Sequence, residues 1–299
     1  MSKIAGGPLQ AKFRCRKEGF DMLSLSEALL ISAPNGGGLA CYENRVMHVF
    51  DNFSSTGLAL HNSSVIRSFH LADSALLMFY HPDGTQKKLI NHDLADIHDL
   101  LVRDDVLYAV STGTNEIVSL CTDTGKITQR WSFPGEGDSW HVNCIDFWNG
   151  RLVVSAFCEG MKHGDYYNDP LYNGFIMDVE TKEKLWLELT HPHTPKAEGN
   201  RRYVCDSGLQ RLLIQEDDQT HSLLHPGYPR GLCFTDDYIL LGVSQPRNLT
   251  TEKNASIKII DKKSFIQVDE IELPFTEVYD IKILPAQLVH SYRFDQMIL

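Results

Sequence analysis

The sequence has little that is helical. No stretch of useful length repeats its apolar residues at the helical period. Motifs that need a helix are missing with it: there is no G-x-G-x-x-G, no P-loop, no G-x-S-x-G and no H-E-x-x-H. Basic charge is also short. The 28 Lys and Arg stand against 39 Asp and Glu, a net charge of −11. That balance removes a general attraction to nucleic acid or to an anionic membrane. No apolar run approaches the roughly 20 residues of a transmembrane helix, and residues 1–20 hold no apolar signal core. Paired cysteines are lacking as well. Cys15, Cys41, Cys121, Cys144, Cys158, Cys205 and Cys233 are scattered singly, with no C-x-x-C. Buried, reduced thiols in a cytoplasmic protein are therefore expected.

What is present is a succession of short strands. From Asp96 to Phe133 the chain alternates β-branched and aromatic runs with tight turns at Asp104-Asp105, Gly113-Thr114-Asn115 and Asp123-Thr124-Gly125. Period-2 runs bounded by Gly, Asn and Asp predict four strands in an antiparallel meander. One such meander per about 40 residues is one blade of a β-propeller. Similar units begin near residues 57, 141, 193 and 230. Before residue 57 there are three strands without a fourth, and the strand from Val278 to Leu284 has no partners after it. Pairing the two ends completes a sixth blade and removes the open edges of the ring. The expected fold is all-β, a single six-bladed propeller over residues 21–299, preceded by an extension over residues 1–20.

Several short motifs recur in order at blade-like spacing: Ile97-His98-Asp99-Leu100, Trp140-His141-Val142-Asn143, Pro192-His193-Thr194-Pro195, Asp206-Ser207-Gly208, Pro229-Arg230-Gly231-Leu232 and Tyr279-Asp280-Ile281. In these the chain resembles a family of bacterial six-bladed propellers of unknown function, the DUF4915 type, over roughly residues 55–286. The resemblance implies the fold and no particular reaction. The loop from Glu159 to Tyr172 departs from the family.

Propeller topology adds a positional argument. Innermost strands begin at one face, beside the central channel, so polar residues at those starts converge on a funnel. They are His98 and Asp99, His141 and Asn143, His193 and Thr194, Arg230, and Tyr279 and Asp280. Three histidines on successive blades are the ligand set of a catalytic divalent-metal site, for Zn, Mg or Ca. Arg230 would clamp a carboxylate or phosphate, and Asp99, Asp280 or Tyr279 would be acid/base groups. The competing reading is structural: each polar residue bonds the backbone of the next blade and locks the ring. The insertion Glu159 to Asn173 is expected over the funnel mouth. Its Tyr166, Tyr167 and Tyr172 offer stacking faces, with Lys162 and His163 nearby. Asp165 to Asp169 lacks the spacing of a calcium loop, and Arg247 and Lys253 would edge the same face. The four tryptophans read as core.

Two functions stand on these residues. One is an enzyme acting on a small polar or sugar-like molecule in the funnel, a metal-assisted lyase, epimerase or hydrolase with His98, His141, Asp99, Arg230 and Tyr279 as catalytic groups. Asn143, Thr194, Tyr166, Tyr167 and Asp280 would bind its ligand. The other is a non-catalytic propeller presenting its rim to a protein or glycan.

Overall fold

The structure, a computed structural model, describes residues 10–11, 26–71, 74–168, 171–245 and 253–294. Cys15, Asp169, Arg247 and most of the expected extension lie outside the described residues. Six antiparallel sheets follow one another along the chain. Blade 1 is built from Asp280–Pro285, Glu27–Ser32, Leu39–Glu43 and Val46–Asp51, innermost strand first, with Gln10–Ala11 paired on its outer edge. Blade 2 comprises Ser55–His61, Ser64–His70, Ala75–Tyr80 and Gln86–Asn91. Blade 3 comprises Ile97–Arg103, Val106–Ser111, Glu116–Cys121 and Ile127–Ser132. Blade 4 is Ile145–Trp148, Arg151–Ala156, Gly174–Asp178 and Lys184–Leu189. Blade 5 is Pro192–Glu198, Arg201–Asp206, Arg211–Glu216 and Gln219–Leu224. Blade 6 is Tyr228–Phe234, Tyr238–Ser244, Ser256–Asp261 and Gln267–Glu272.

The ring closes as the sequence predicts. Glu27–Ser32 pairs with Asp280–Pro285 in a continuous register, from Glu27 opposite Pro285 to Ser32 opposite Asp280. The chain then runs through a short helix, Ala286–Val289, and buries Tyr292 and Phe294 against blades 1 and 2. The Phe294 ring lies 4.9 Å from those of Phe50 and Tyr80. Among the described residues no helix is long and apolar enough to cross a membrane.

Each sheet is sandwiched between two others, which explains its nearly continuous apolar strands. Leu29 and Ile31 pack toward Ile257 and Ile259 of blade 6, while Ala28 and Leu30 pack toward Leu58 and Val65 of blade 2. Alternate residues of one strand thus serve two seams. The core is this circle of interfaces, and hydroxyl groups tie it near the channel. Ser32 Oγ donates to Thr56 O at 2.5 Å, Thr112 Oγ1 to Val142 O at 2.6 Å, Ser207 Oγ to Pro229 O at 2.6 Å, and Ser244 Oγ to Val278 O at 3.0 Å. Every one of these bonds joins a blade to the next. The seams are tight enough that a side chain on Gly57 would meet the Leu100 amide at 2.7 Å.

One boundary differs from expectation. The inner ladder of blade 4 begins at Ile145, not at His141. His141 takes a left-handed backbone conformation, φ +49°, and residues 141–144 pair irregularly, with the Asn143 amide donating to Ser155 O. Inner strands of blades 2, 3, 5 and 6 also carry irregular registers near their starts, at Ser55/Leu58, Asp99/Ile97, His193/Lys196 and Pro229/Leu232. Such bulges re-aim side chains where a strand meets a site.

Candidate functional site

The inner strand starts surround a cavity of about 550 Å³ at one face of the ring. Its lining includes His98, His141, Asn143, Tyr166, Tyr167, His193, Arg230 and Tyr279. The structure therefore brings eight of the expected residues together. Asp99, Thr194 and Asp280 are absent from the lining.

Those three lock the seams instead. Asp99 Oδ2 accepts the Ile145 amide of blade 4 at 2.9 Å, and Asp280 Oδ2 accepts the Leu58 amide of blade 2 at 3.1 Å. Thr194 Oγ1 accepts the Gly231 amide of blade 6 at 3.2 Å. In each case the neighbouring residue, His98, Tyr279 or His193, lines the funnel. Successive side chains on a strand leave on opposite sides, so one turns to the ligand space and the other into the seam. Their side-chain oxygens are thus engaged by backbone amides of neighbouring blades. Burial, then the nearby Asp280 carboxylate, raises Asp99 to about 6, against the pull of Lys282, Lys196 and the Ile145 amide.

His141 and His193 are each held through one ring nitrogen. His141 Nδ1 lies 2.8 Å from Asp138 Oδ2, and His193 Nδ1 lies 2.9 Å from both the His191 carbonyl oxygen and Ser207 Oγ. His98 Nε2 stands 3.2 Å from Asp96 Oδ2. Burial lowers His141 to about 4 despite the Asp138 hydrogen bond, and lowers His193 well below the usual imidazole range, with Arg230 adding to the effect. Both rings are neutral at pH 7. The His98 and His141 rings meet edge to face at 5.0 Å, and the edge of His98 approaches Tyr279 at 5.8 Å.

Donors face these imidazoles. Tyr279 donates its hydroxyl hydrogen to Asn143 Oδ1 at 2.7 Å, and the Cys144 thiol contacts the same oxygen at 3.1 Å. Burial holds Tyr279 well above its ordinary range and pushes Cys144 up to about 12, so both keep their protons. Arg230 donates through Nη1 to Glu277 at 2.9 Å, and its guanidinium lies 4.6 Å from the Tyr228 ring centre and 5.7 Å from that of Tyr279. Three buried polar atoms on lining residues have no hydrogen-bond partner: His98 Nδ1, Asn143 Nδ2 and Arg230 Nε.

The insertion reaches the funnel as expected. Tyr166 stacks on His141 at 4.1 Å and touches Tyr167 at 4.3 Å, while Tyr167 stays largely exposed. Tyr172, Lys162 and His163 are not in the lining. His163 Nδ1 accepts the Asp138 amide at 3.2 Å, and Asp165 accepts the amides of Met161 and Lys162, closing its own turn. The Lys253 amide donates to Gln245 Oε1 at 2.7 Å. Trp140 and Trp148 are buried, Trp131 and Trp186 half-buried, and the funnel lining includes none of them. Among the described residues, Cys41, Cys121, Cys144, Cys205 and Cys233 form no disulfide.

Among the described residues, no three His, Cys, Asp or Glu side chains stand together so as to hold a metal ion, and this includes His98, His141 and His193. The Phe157 ring packs against both neighbours, 4.4 Å from His141 and 5.3 Å from His193. Sequence reasoning did not select Asp96, Asp138, Phe157, His191, Tyr228 or Glu277. The two acids had a local signal, since each precedes its histidine by two or three residues. His191 and Tyr228 had the same one, each standing two residues before His193 or Arg230, whereas Phe157 and Glu277 had none.

Comparison with known proteins agrees with the architecture. A protein of unknown function from Bacteroides caccae superposes with a TM-score of 0.63 at 10% identity, over 87% of this chain and 99% of the other. A chain of the nidogen/laminin complex gives 0.61 at 14% identity, over 86% and 98%. A luciferin-regenerating enzyme gives 0.54 at 13% identity, over 76% and 78%. At these identities the likeness is one of fold. No curated protein matches the sequence. The family model for a domain of unknown function, DUF4915, matches residues 54–291, and the chain belongs to that family.

Proposed function

We propose that the funnel binds a small polar, sugar-like molecule and that His98, His141 and Tyr279 serve proton transfer on it. The observation that carries this reading is the set of unpartnered buried atoms on the funnel lining, His98 Nδ1, Asn143 Nδ2 and Arg230 Nε. Folded proteins rarely leave buried polar atoms without partners, and three on one cavity call for a ligand that supplies them. Asn143 Nδ2 and Arg230 Nε are donors, so the ligand brings acceptors such as a carboxylate, a carbonyl or a phosphate. The neutral His141 ring and protonated Tyr279, both on the funnel lining, suit a lyase, epimerase or hydrolase step. Cys41, Cys121, Cys144, Cys205 and Cys233, none of them in a disulfide, fit work in a reducing compartment such as the cytoplasm.

Thermal-shift screening against neutral monosaccharides, uronic acids and sugar phosphates tests the proposal. At least one class is expected to raise the melting temperature of the wild type and to leave Arg230→Ala unchanged. No response to the whole panel, or equal responses in the variant, overturns it.

A second reading rests on the rim. Met161, Tyr167, Leu171 and Tyr172 of the insertion are all more than half exposed, an apolar and aromatic lip suited to a protein or glycan partner. Retained glycan or protein capture by the Arg230→Ala variant, lost in Tyr167→Ala, would favour it.

A further inference from the structure

The hydrogen bonds around the histidines fix more than their positions. A carboxylate and a backbone carbonyl accept hydrogen bonds and cannot donate. The ring proton of His141 is therefore on Nδ1, toward Asp138, and that of His193 on Nδ1, toward the His191 carbonyl. In a neutral imidazole the other nitrogen is then a bare lone pair. Two such atoms, His141 Nε2 and His193 Nε2, belong to rings lining one cavity.

We propose that these nitrogens read hydroxyl groups, and that the funnel ligand is a polyhydroxy molecule whose O–H hydrogens they accept. This rests on the proposed function and narrows it. Asn143 Nδ2 and Arg230 Nε can satisfy oxygen lone pairs but not hydroxyl hydrogens; the imidazoles supply the complementary half. Burial keeps His141 and His193 neutral, which preserves the lone pairs. Tyr167, 76% exposed at the mouth, offers a face for the C–H side of a sugar ring. Asp138 is a positioning residue that acts through the ring it holds.

The first test is nitrogen NMR of protein labelled in histidine, which reads each tautomer directly. The expected result is Nδ1–H at His141 and at His193. An Nε2–H tautomer at His141 overturns the proposal. The second test titrates the protein with a hexose and with its singly deoxygenated analogues. At least one missing hydroxyl is expected to weaken binding about tenfold, the scale of one good hydrogen bond. Equal binding by every deoxy analogue overturns the hydroxyl reading and leaves the funnel as a ligand site. Failure of the hexose and of all acidic sugars to bind removes both. Asp138→Asn, in protein of unchanged melting temperature, is expected to lose hexose affinity about tenfold and to change the His141 tautomer signal; wild-type values for both overturn the role of Asp138.

Discussion

The hydroxyl of Tyr279 and the amide oxygen of Asn143 meet at 2.7 Å although the residues are 136 positions apart. Tyr279 leads into the inner strand of blade 1 and Asn143 into that of blade 4, so the bond spans the ring. Tyr279→Phe leaves a buried amide oxygen with only the weak thiol of Cys144. A loss of about 1–3 kcal/mol of stability is expected, measurable by denaturant titration, with the fold unchanged by circular dichroism. No loss would mean that the contact carries no weight.

Asp99 separates the seam role from the funnel role. Asp99→Ala strands the Leu100 and Ile145 amides, both of which its carboxylate accepts. We expect about 2–4 kcal/mol of destabilisation, while the remaining folded protein keeps wild-type response to funnel ligands. Loss of ligand response without loss of stability would return Asp99 to the site.

Acid should weaken the fold through His141. Its folded pKa, about 4, lies below the unfolded value near 6.5, so the unfolded chain binds the proton first. Stability is therefore complete above about pH 6.5 and falls as pH drops toward 4, by about 3 kcal/mol from this ring. His193 acts in the same direction. Unfolding curves across this range should be flatter in His141→Phe than in the wild type; parallel curves would contradict the shift.

Arg67 and Asp51 form a buried pair at the inter-blade seam, with Nη2 2.9 Å from Oδ1 and Arg67 fully enclosed. Arg67→Met leaves the carboxylate uncompensated and should cost about 3–5 kcal/mol. Adding Asp51→Asn should recover part of that loss. A double variant no better than the single would show that shape, not charge, decides this corner.

Metal content tests the three-histidine expectation directly. With Phe157 packed against both His141 and His193, untagged protein is expected to carry well under one equivalent of Zn, Mg or Ca, and chelation should leave its melting temperature unchanged. One equivalent, lost in His98→Ala/His141→Ala, would instead assign the ion to those rings.

The sequence by itself determined the blade count and the ring closure. Turn residues and period-2 runs are local, and an unpartnered strand at each end admits few arrangements. It also carried the funnel histidines, Arg230 and Tyr279, because strand starts share one face of a propeller. It could not say which residue of an adjacent pair faces the ligand. His98 and Asp99, Tyr279 and Asp280, and His193 and Thr194 are equally polar, and only the register of the inner strand, offset by bulges, separates funnel from seam. The tertiary structure alone decided the partners: Asp138 on His141, Glu277 on Arg230, Asn143 under Tyr279. Hydrogen bonds act over about 3 Å, and that proximity arises only once six sheets have packed around a common axis.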